Sequence, residues 1–400
     1  MAADTPSLLR ARTTHEHAPV ASIELFFDLV FVFAVTQLSH SLLEHLSFSG
    51  AIQTLMLFLA VWWLWIFTAW ATNWLNPEKI PVRLLLLALM LGSLLLSSSI
   101  PEAFDERGRM FGCAFAAMQI GRSLFVTAAL RGHSPANYRN FVRLTMWLVA
   151  SGCFWVFGAF SEGDERVTSW AIALALEYAG PWVSFWVPGL GRSSTTDWDI
   201  DGTHLAERCG LFVIIALGES ILVTGAGFAE LKWNTATITG FLIAFVGTVA
   251  MWWMYFDTGA IRASRRIARS ADPGRQGRLA YTYIHLLIVA GIIVSAVADH
   301  IVLERPGEAD AIERTAILSG TGLYLAGNAL FKWVTNDRRA PPLSHLAGLA
   351  MLLALIPFAV AESPSALSLG AATTGVLVVV AAWESMALRR APSPTRAGLT

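Results

Sequence analysis

The stretch Glu24–His40, ELFFDLVFVFAVTQLSH, sets Glu24, Asp28, Gln37 and His40 into an otherwise apolar run. Glu24 and Asp28 are four residues apart, so on a helix they share one face about one turn apart. The run is long enough to cross a bilayer, where a carboxylate costs roughly 2.5–3.5 kcal/mol even on insertion scales. Partners must therefore compensate both acids. At about 100° per residue, Gln37, His40, Ser41 and Glu44 form a second polar stripe roughly opposite the first. Two opposed stripes predict a central helix buried by neighbours on both sides.

Composition widens this to the whole chain. Of 400 residues, 55% are hydrophobic and 14% charged, against about 25% charged in soluble domains. The sequence predicts an all-α, polytopic membrane helical bundle. The formal net charge of −1 argues against nucleic acid as a partner, leaving membrane lipids and a small-molecule or ion substrate. Cys113, Cys153 and Cys209 are far apart in apolar runs and read as core fillers. Residues 1–22 show no cleavable signal pattern and are expected to be a cytoplasmic tail.

A scan of about 19 residues finds some twelve apolar segments, from 23–43 to 367–387. With both termini cytoplasmic, 20 of the 28 lysines and arginines fall inside and six outside, with Arg122 and Arg208 within or at the edge of spans. That asymmetry supports the orientation. The inner stretch 257–279 carries six arginines, for which contact with anionic lipid heads is the expectation.

The halves resemble each other. Glu207 follows Glu24 by 183 residues, and on that offset Thr36 and Gln37 fall on Glu219 and Ser220. WWLWIFTA from Trp62 resembles WWMYFDTG from Trp252, and QIGRSLF from Gln119 resembles the last seven residues of YLAGNALF from Tyr324. The shared order predicts two parallel six-helix pseudo-repeats, 23–189 and 205–388, joined by a cytoplasmic linker at 190–204 and followed by a tail at 389–400. Asp197, Asp199 and Asp201 alternate in that linker, but without the glycine and distal glutamate of a calcium loop no metal is expected.

Chemistry concentrates in a few buried polar residues. ERCGLFVIIALGESILVTG places Glu207 and Arg208 near the inner surface and Glu219 about 18 Å deeper, with Ser220 beside it. Arg122 is the one arginine deep in a span, and Asp28, Glu177 and Glu219 are its candidate partners. A carboxylate without a cation is a candidate proton carrier, whereas a fixed pair is a structural lock; both readings stand. Glu44, His40 and His45 are expected at the outer end of the first helix, and together with Asp299 and His300 at the outer end of the ninth they would form a metal or proton-exchange group; isolated helix-end histidines are the commoner case. Trp62 and Trp63 suggest an aromatic ligand wall. No nucleophile elbow, phosphate loop or zinc-protease helix occurs, so an enzyme is not indicated and no cofactor is expected.

ELFFDLVFVFAVTQLSH with ERCGLFVIIALGESI resembles the bacterial low temperature requirement A (LtrA) family of integral membrane proteins. The resemblance implies a bacterial plasma-membrane protein in which Glu24, Phe27, Asp28, Phe31, Gln37, Glu207, Arg208, Gly218, Glu219 and Ser220 matter. It implies no substrate. The expected function is a secondary transporter or permease, with Asp28 and Glu219 as proton or cation sites and Arg122 as their counter-charge. The alternatives are a non-transporting binding, sensory or structural protein with a lipid or cofactor ligand, and an intramembrane enzyme acting on lipid. Oligomeric state is left open.

Overall fold

The computed structural model describes residues 7–10, 19–336 and 340–390. The tail at 1–22 is described only in part, and that at 389–400 only through residue 390, so their expected placement lies largely outside the described residues. Among these, the chain is helical and contains no strand longer than an isolated bridge. The first helices are α1 (Ser22–Glu44), α2 (Phe48–Trp74), α3 (Ile80–Ser99), α4 (Gly108–Leu130), α5 (Pro135–Phe160) and α6 (Gly163–Trp182). After the linker come α7 (Gly202–Glu230), α8 (Thr235–Tyr255), the short α9 (Ile261–Ala268) and one-turn α10 (Pro273–Gln276). The chain ends with α11 (His285–Glu304), α12 (Ala311–Thr335), α13 (Leu343–Ala361) and α14 (Ala366–Arg390).

Ten helical runs are long and apolar enough to cross a membrane, with Pro273–Glu304 counted as one. The other two long helices are more polar: α6 begins with Asp164, Glu165 and Arg166, and α12 carries Glu313, Arg314 and Lys332. Local signals set the ends. Ser47 accepts from Gly50 N at the start of α2, Pro135 opens α5, and Asp310 accepts from Ile312 N and Glu313 N at the start of α12.

The described chain divides into two compact units. Residues 1–215 and 267–286 form the first. Its core is aromatic: Trp62, Trp63, Trp65, Trp155 and Trp170 are all buried. Trp63 lies against Tyr178 with ring centroids 4.0 Å apart, and Trp65 against Phe212 at 4.3 Å. Trp62 and Trp63 thus fill the core and do not form the aromatic wall expected of them. Between α10 and α11 the backbone is π-helical over Gly277–Ile284. There the Thr282 carbonyl accepts the Trp62 indole N–H at 2.8 Å, while its hydroxyl donates to Gly277 O at 3.1 Å. A π-helical turn shifts the backbone ladder by one residue and leaves carbonyls to side chains.

α1 departs from the expectation of burial on two sides. Glu24, Phe27, Asp28 and Phe31 are buried, but Leu25, Phe26, Leu29 and Phe33 form an exposed apolar stripe. Together with Leu84, Leu87, Leu91 and Leu94 on α3, such a surface suits lipid, because alkyl chains demand no hydrogen bonds. The second polar stripe does not prevent this: Gln37 is half-buried and His40 is exposed near the helix end.

Residues 216–266 and 287–400 form the second unit. α11 and α12 approach closely here, because a Cβ on Gly291 would sit 2.4 Å from Tyr324 N and one on Gly320 would sit 2.7 Å from Ser295 N. Small residues permit such contact, which is what holds helices together where hydrophobic burial gives no drive. Lys332 donates to Met254 O at 2.8 Å and to Glu384 Oε2 at 2.6 Å. The arginine-rich stretch 257–279, which the apolar scan leaves as a loop between spans, contains the short helices α9 and α10.

Candidate functional site

The first unit contains a buried ion-pair cluster built on Glu24. A two-residue bridge brings Arg10 there: Arg10 N donates to Trp74 O and Asn76 N to Leu8 O, each at 2.8 Å. Arg10 Nη2 then donates to Glu24 Oε2 at 2.8 Å. From α7, Arg208 donates to Glu24 Oε1 at 3.0 Å, to Thr72 Oγ1 at 3.2 Å and to Asp28 Oδ1 at 2.6 Å. Asp28 Oδ1 also accepts the Trp65 indole N–H at 2.8 Å. Glu24 doubles as a helix cap, accepting from Ala21 N at 2.9 Å.

His204 completes the cluster, with Nε2 3.0 Å from Glu24 Oε1. Asn73 Oδ1 accepts from Asp201 N at 2.7 Å, so the Asn73 amide nitrogen faces His204 Nδ1 at 3.4 Å. The Asn73 donor at Nδ1 favours a hydrogen on Nε2 for Glu24, while Arg10 Nη2, also a donor, lies 3.2 Å from that same Nε2. With neutral His204, two guanidinium groups balance two carboxylates. Burying charge is costly unless it is paired and hydrogen-bonded, which this arrangement achieves for Glu24.

A second network surrounds Arg122 on α4. Its Nη1 donates to Leu64 O and Thr68 Oγ1, each at 3.0 Å, and its Nη2 donates to Gln119 Oε1. Gln119 in turn donates to Glu177 Oε2 at 3.2 Å. Glu177 Oε1 accepts from Ser151 at 2.5 Å and from Trp155 at 3.0 Å. Arg122 and Glu177 are thus linked through an amide instead of paired directly. Sequence reasoning makes Arg122 the counter-charge of Asp28 and Glu219; the structure gives Asp28 to Arg208 instead. Helix periodicity cannot reveal this, because it depends on which face of each helix meets its neighbour.

Arg122 also lines a cavity. Phe67, Trp70, Phe141, Phe185 and Trp198 supply its aromatic wall, and Ser123, Thr195, Arg278 and Thr282 its polar groups. Arg122 lies eight residues before the end of α4, about 12 Å into the helix. Towards the linker, Arg278 donates to Pro181 O at 2.6 Å and covers the Trp182 ring. Two wall residues, Ser184 and Phe185, have φ of 58° and 47°. Such conformations cost about 1–3 kcal/mol each and persist where the surroundings impose them. Gly180 makes this possible, since a Cβ there would lie 2.9 Å from the Phe185 ring.

The remaining predicted residues scatter. Glu207 is exposed, and Glu219 is buried in the second unit. There Ser220 Oγ lies 3.4 Å from both Asp299 Oδ2 and Thr248 Oγ1. His300 contacts its own helix neighbour Glu304 at 3.1 Å, and His45 the Ser41 carbonyl at 3.2 Å. Among the described residues, no group of three or more His, Cys, Asp or Glu side chains is placed to hold a metal. Arg10, His204, Gln119 and Trp65 escape sequence reasoning. The only signal for His204 is its position just before the ERCG motif, four residues from Arg208 on the same face.

These features define a multi-pass α-helical membrane protein with a balanced buried ion cluster and a separate aromatic cavity bearing a buried arginine. The chain belongs to the bacterial low temperature requirement A protein (LtrA) family, whose model matches residues 19–382. It is 43% identical over 371 residues to a protein of Rhizobium meliloti (strain 1021) described as uncharacterized, a match covering 92% of this chain and 89% of that one. No solved structure matches.

Proposed function

We propose that this protein is a secondary transporter or permease of the bacterial plasma membrane that carries a small organic anion coupled to a proton. The observation that carries this reading is Arg122: a buried guanidinium in the wall of an aromatic-lined cavity, with hydrogen bonds to neutral acceptors and no carboxylate within ion-pair distance among the described residues. An anion with an apolar body would satisfy both the charge and the aromatic wall. Gln119 connects that position to Glu177. A bound anion and an ionised Glu177 repel each other around one guanidinium, so binding solute together with a proton on Glu177 removes the repulsion. Glu24, Asp28 and Arg208, already paired, serve as a lock. Glu219 and Ser220 remain candidates for a coupling role in the second unit.

The wider plan belongs to the same proposal: twelve spans, two parallel six-helix repeats and cytoplasmic termini, supported by the arginine asymmetry and the internal matches. On that orientation the linker side of the cavity faces the cytoplasm, as in an inward-facing carrier.

The test uses proteoliposomes containing a pH-sensitive dye, with inward gradients of membrane-impermeant sulfonates and phosphate monoesters. Wild type should acidify the lumen with at least one of these anions. Arg122→Gln should lose anion uptake, and Glu177→Gln should keep anion uptake without acidification. Acidification retained in Glu177→Gln would remove that residue from coupling. A tightly held co-purifying ligand with no flux for any anion would replace transport by a binding or sensory role.

A further inference from the structure

The second unit contains a smaller polar cavity where four helices converge. α8 contributes Gly247 and Met251, α11 Ser295 and Asp299, α12 Thr321, and α14 Thr373 and Thr374. Its one carboxylate, Asp299, has no salt-bridge partner among the described residues, and its hydrogen bond from Ser220 is long at 3.4 Å. A carboxylate in a membrane helix with one weak donor is expensive unless something else compensates it.

Several hydroxyls line the same cavity. Helical Ser and Thr side chains usually return their hydrogen to their own backbone, and Thr373 does so, donating to Gly370 O at 3.0 Å. That bond leaves the oxygen lone pairs available. Ser295 differs: its side chain is buried, its Oγ has no hydrogen-bond partner, and it lines the cavity. A buried hydroxyl without a partner calls for a ligand. Gly320 faces that serine, where a Cβ would come 2.8 Å from Ser295 Oγ.

We infer that Asp299, Ser295, Thr321 and Thr373 form a binding site for a small monovalent cation such as sodium. Hard cations take carboxylate, hydroxyl and carbonyl oxygens. One carboxylate neutralises one positive charge, whereas a divalent ion would leave a net charge in a low-dielectric interior. The site stands on observations separate from the Arg122 cavity, so its fate and that of the anion reading are independent.

The experiment is binding of radioactive sodium-22 to the purified full-length protein in detergent, read by scintillation proximity. Wild type should bind saturably, with the signal displaced by sodium chloride and retained in choline chloride. Asp299→Asn should lose binding, and Ser295→Ala and Thr321→Val should each weaken it by about tenfold. No saturable binding by wild type, or unchanged binding by Asp299→Asn, would overturn the inference. If Asp299→Asn is not monodisperse, the two hydroxyl variants decide, and sodium affinity unchanged in both rejects the site. A wild type that binds no sodium while Asp299→Asn is more heat-stable would mean that the carboxyl holds a proton instead.

Discussion

Replacing Arg208 by Met probes the ion cluster directly. The guanidinium makes three hydrogen bonds, to Glu24, Thr72 and Asp28, and covers the Trp65 ring at 5.8 Å. Without it, Glu24 keeps Arg10 and His204, but Asp28 keeps only Trp65. The cluster passes from neutral to one uncompensated negative charge, with both acid side chains and Arg208 fully buried. Breaking a buried pair in this way costs about 3–5 kcal/mol. Arg10→Gln should cost less, about 1–2 kcal/mol, because the Arg10 side chain is 12% exposed and water shares its role. The informative variant is the double Arg208→Met with Asp28→Leu, which restores neutrality with apolar volume. It should be less destabilised than the sum of its singles by about 2 kcal/mol or more, as expected of groups in one network. Tryptophan fluorescence during dodecyl sulfate titration of mixed micelles reads these differences. Strict additivity, or an Arg208→Met protein within about 1 kcal/mol of wild type, would refute the cluster as a stabilising unit.

Two further outcomes follow from packing and capping. Gly291→Ala must push α11 from α12, because the new methyl would meet Tyr324 N at 2.4 Å; it should lose about 1–3 kcal/mol. Gly375→Ala, with nothing within 4 Å of its Cβ, should gain up to about 1 kcal/mol from helix propensity, and equal thermal midpoints for the two variants would contradict the close-contact argument. Asp310→Ala removes the acceptor for Ile312 N and Glu313 N at the start of α12 and should cost about 0.5–2 kcal/mol, measured as a lower unfolding midpoint in the same micelles.

The helical membrane class, and the residues whose polarity demanded an explanation, were legible in one dimension. Apolar length is a local property, and a charge in such a run demands a partner whatever the fold around it, so Glu24, Asp28, Arg122, Glu177 and Arg208 could be singled out from one dimension. Their pairing could not. Successive residues turn by about 100°, so a modest rotation of α4 or α7 sends an arginine to a different neighbour. Only the tertiary structure gave Asp28 to Arg208, placed Gln119 between Arg122 and Glu177, and brought Arg10 to Glu24. It alone turned Leu25, Phe26, Leu29 and Phe33 outward despite the polar stripe near the end of α1. It also moved the aromatic wall from Trp62 and Trp63 to Phe67, Trp70 and Trp198, because whether a ring fills a core or lines a cavity depends on the helices packed around it.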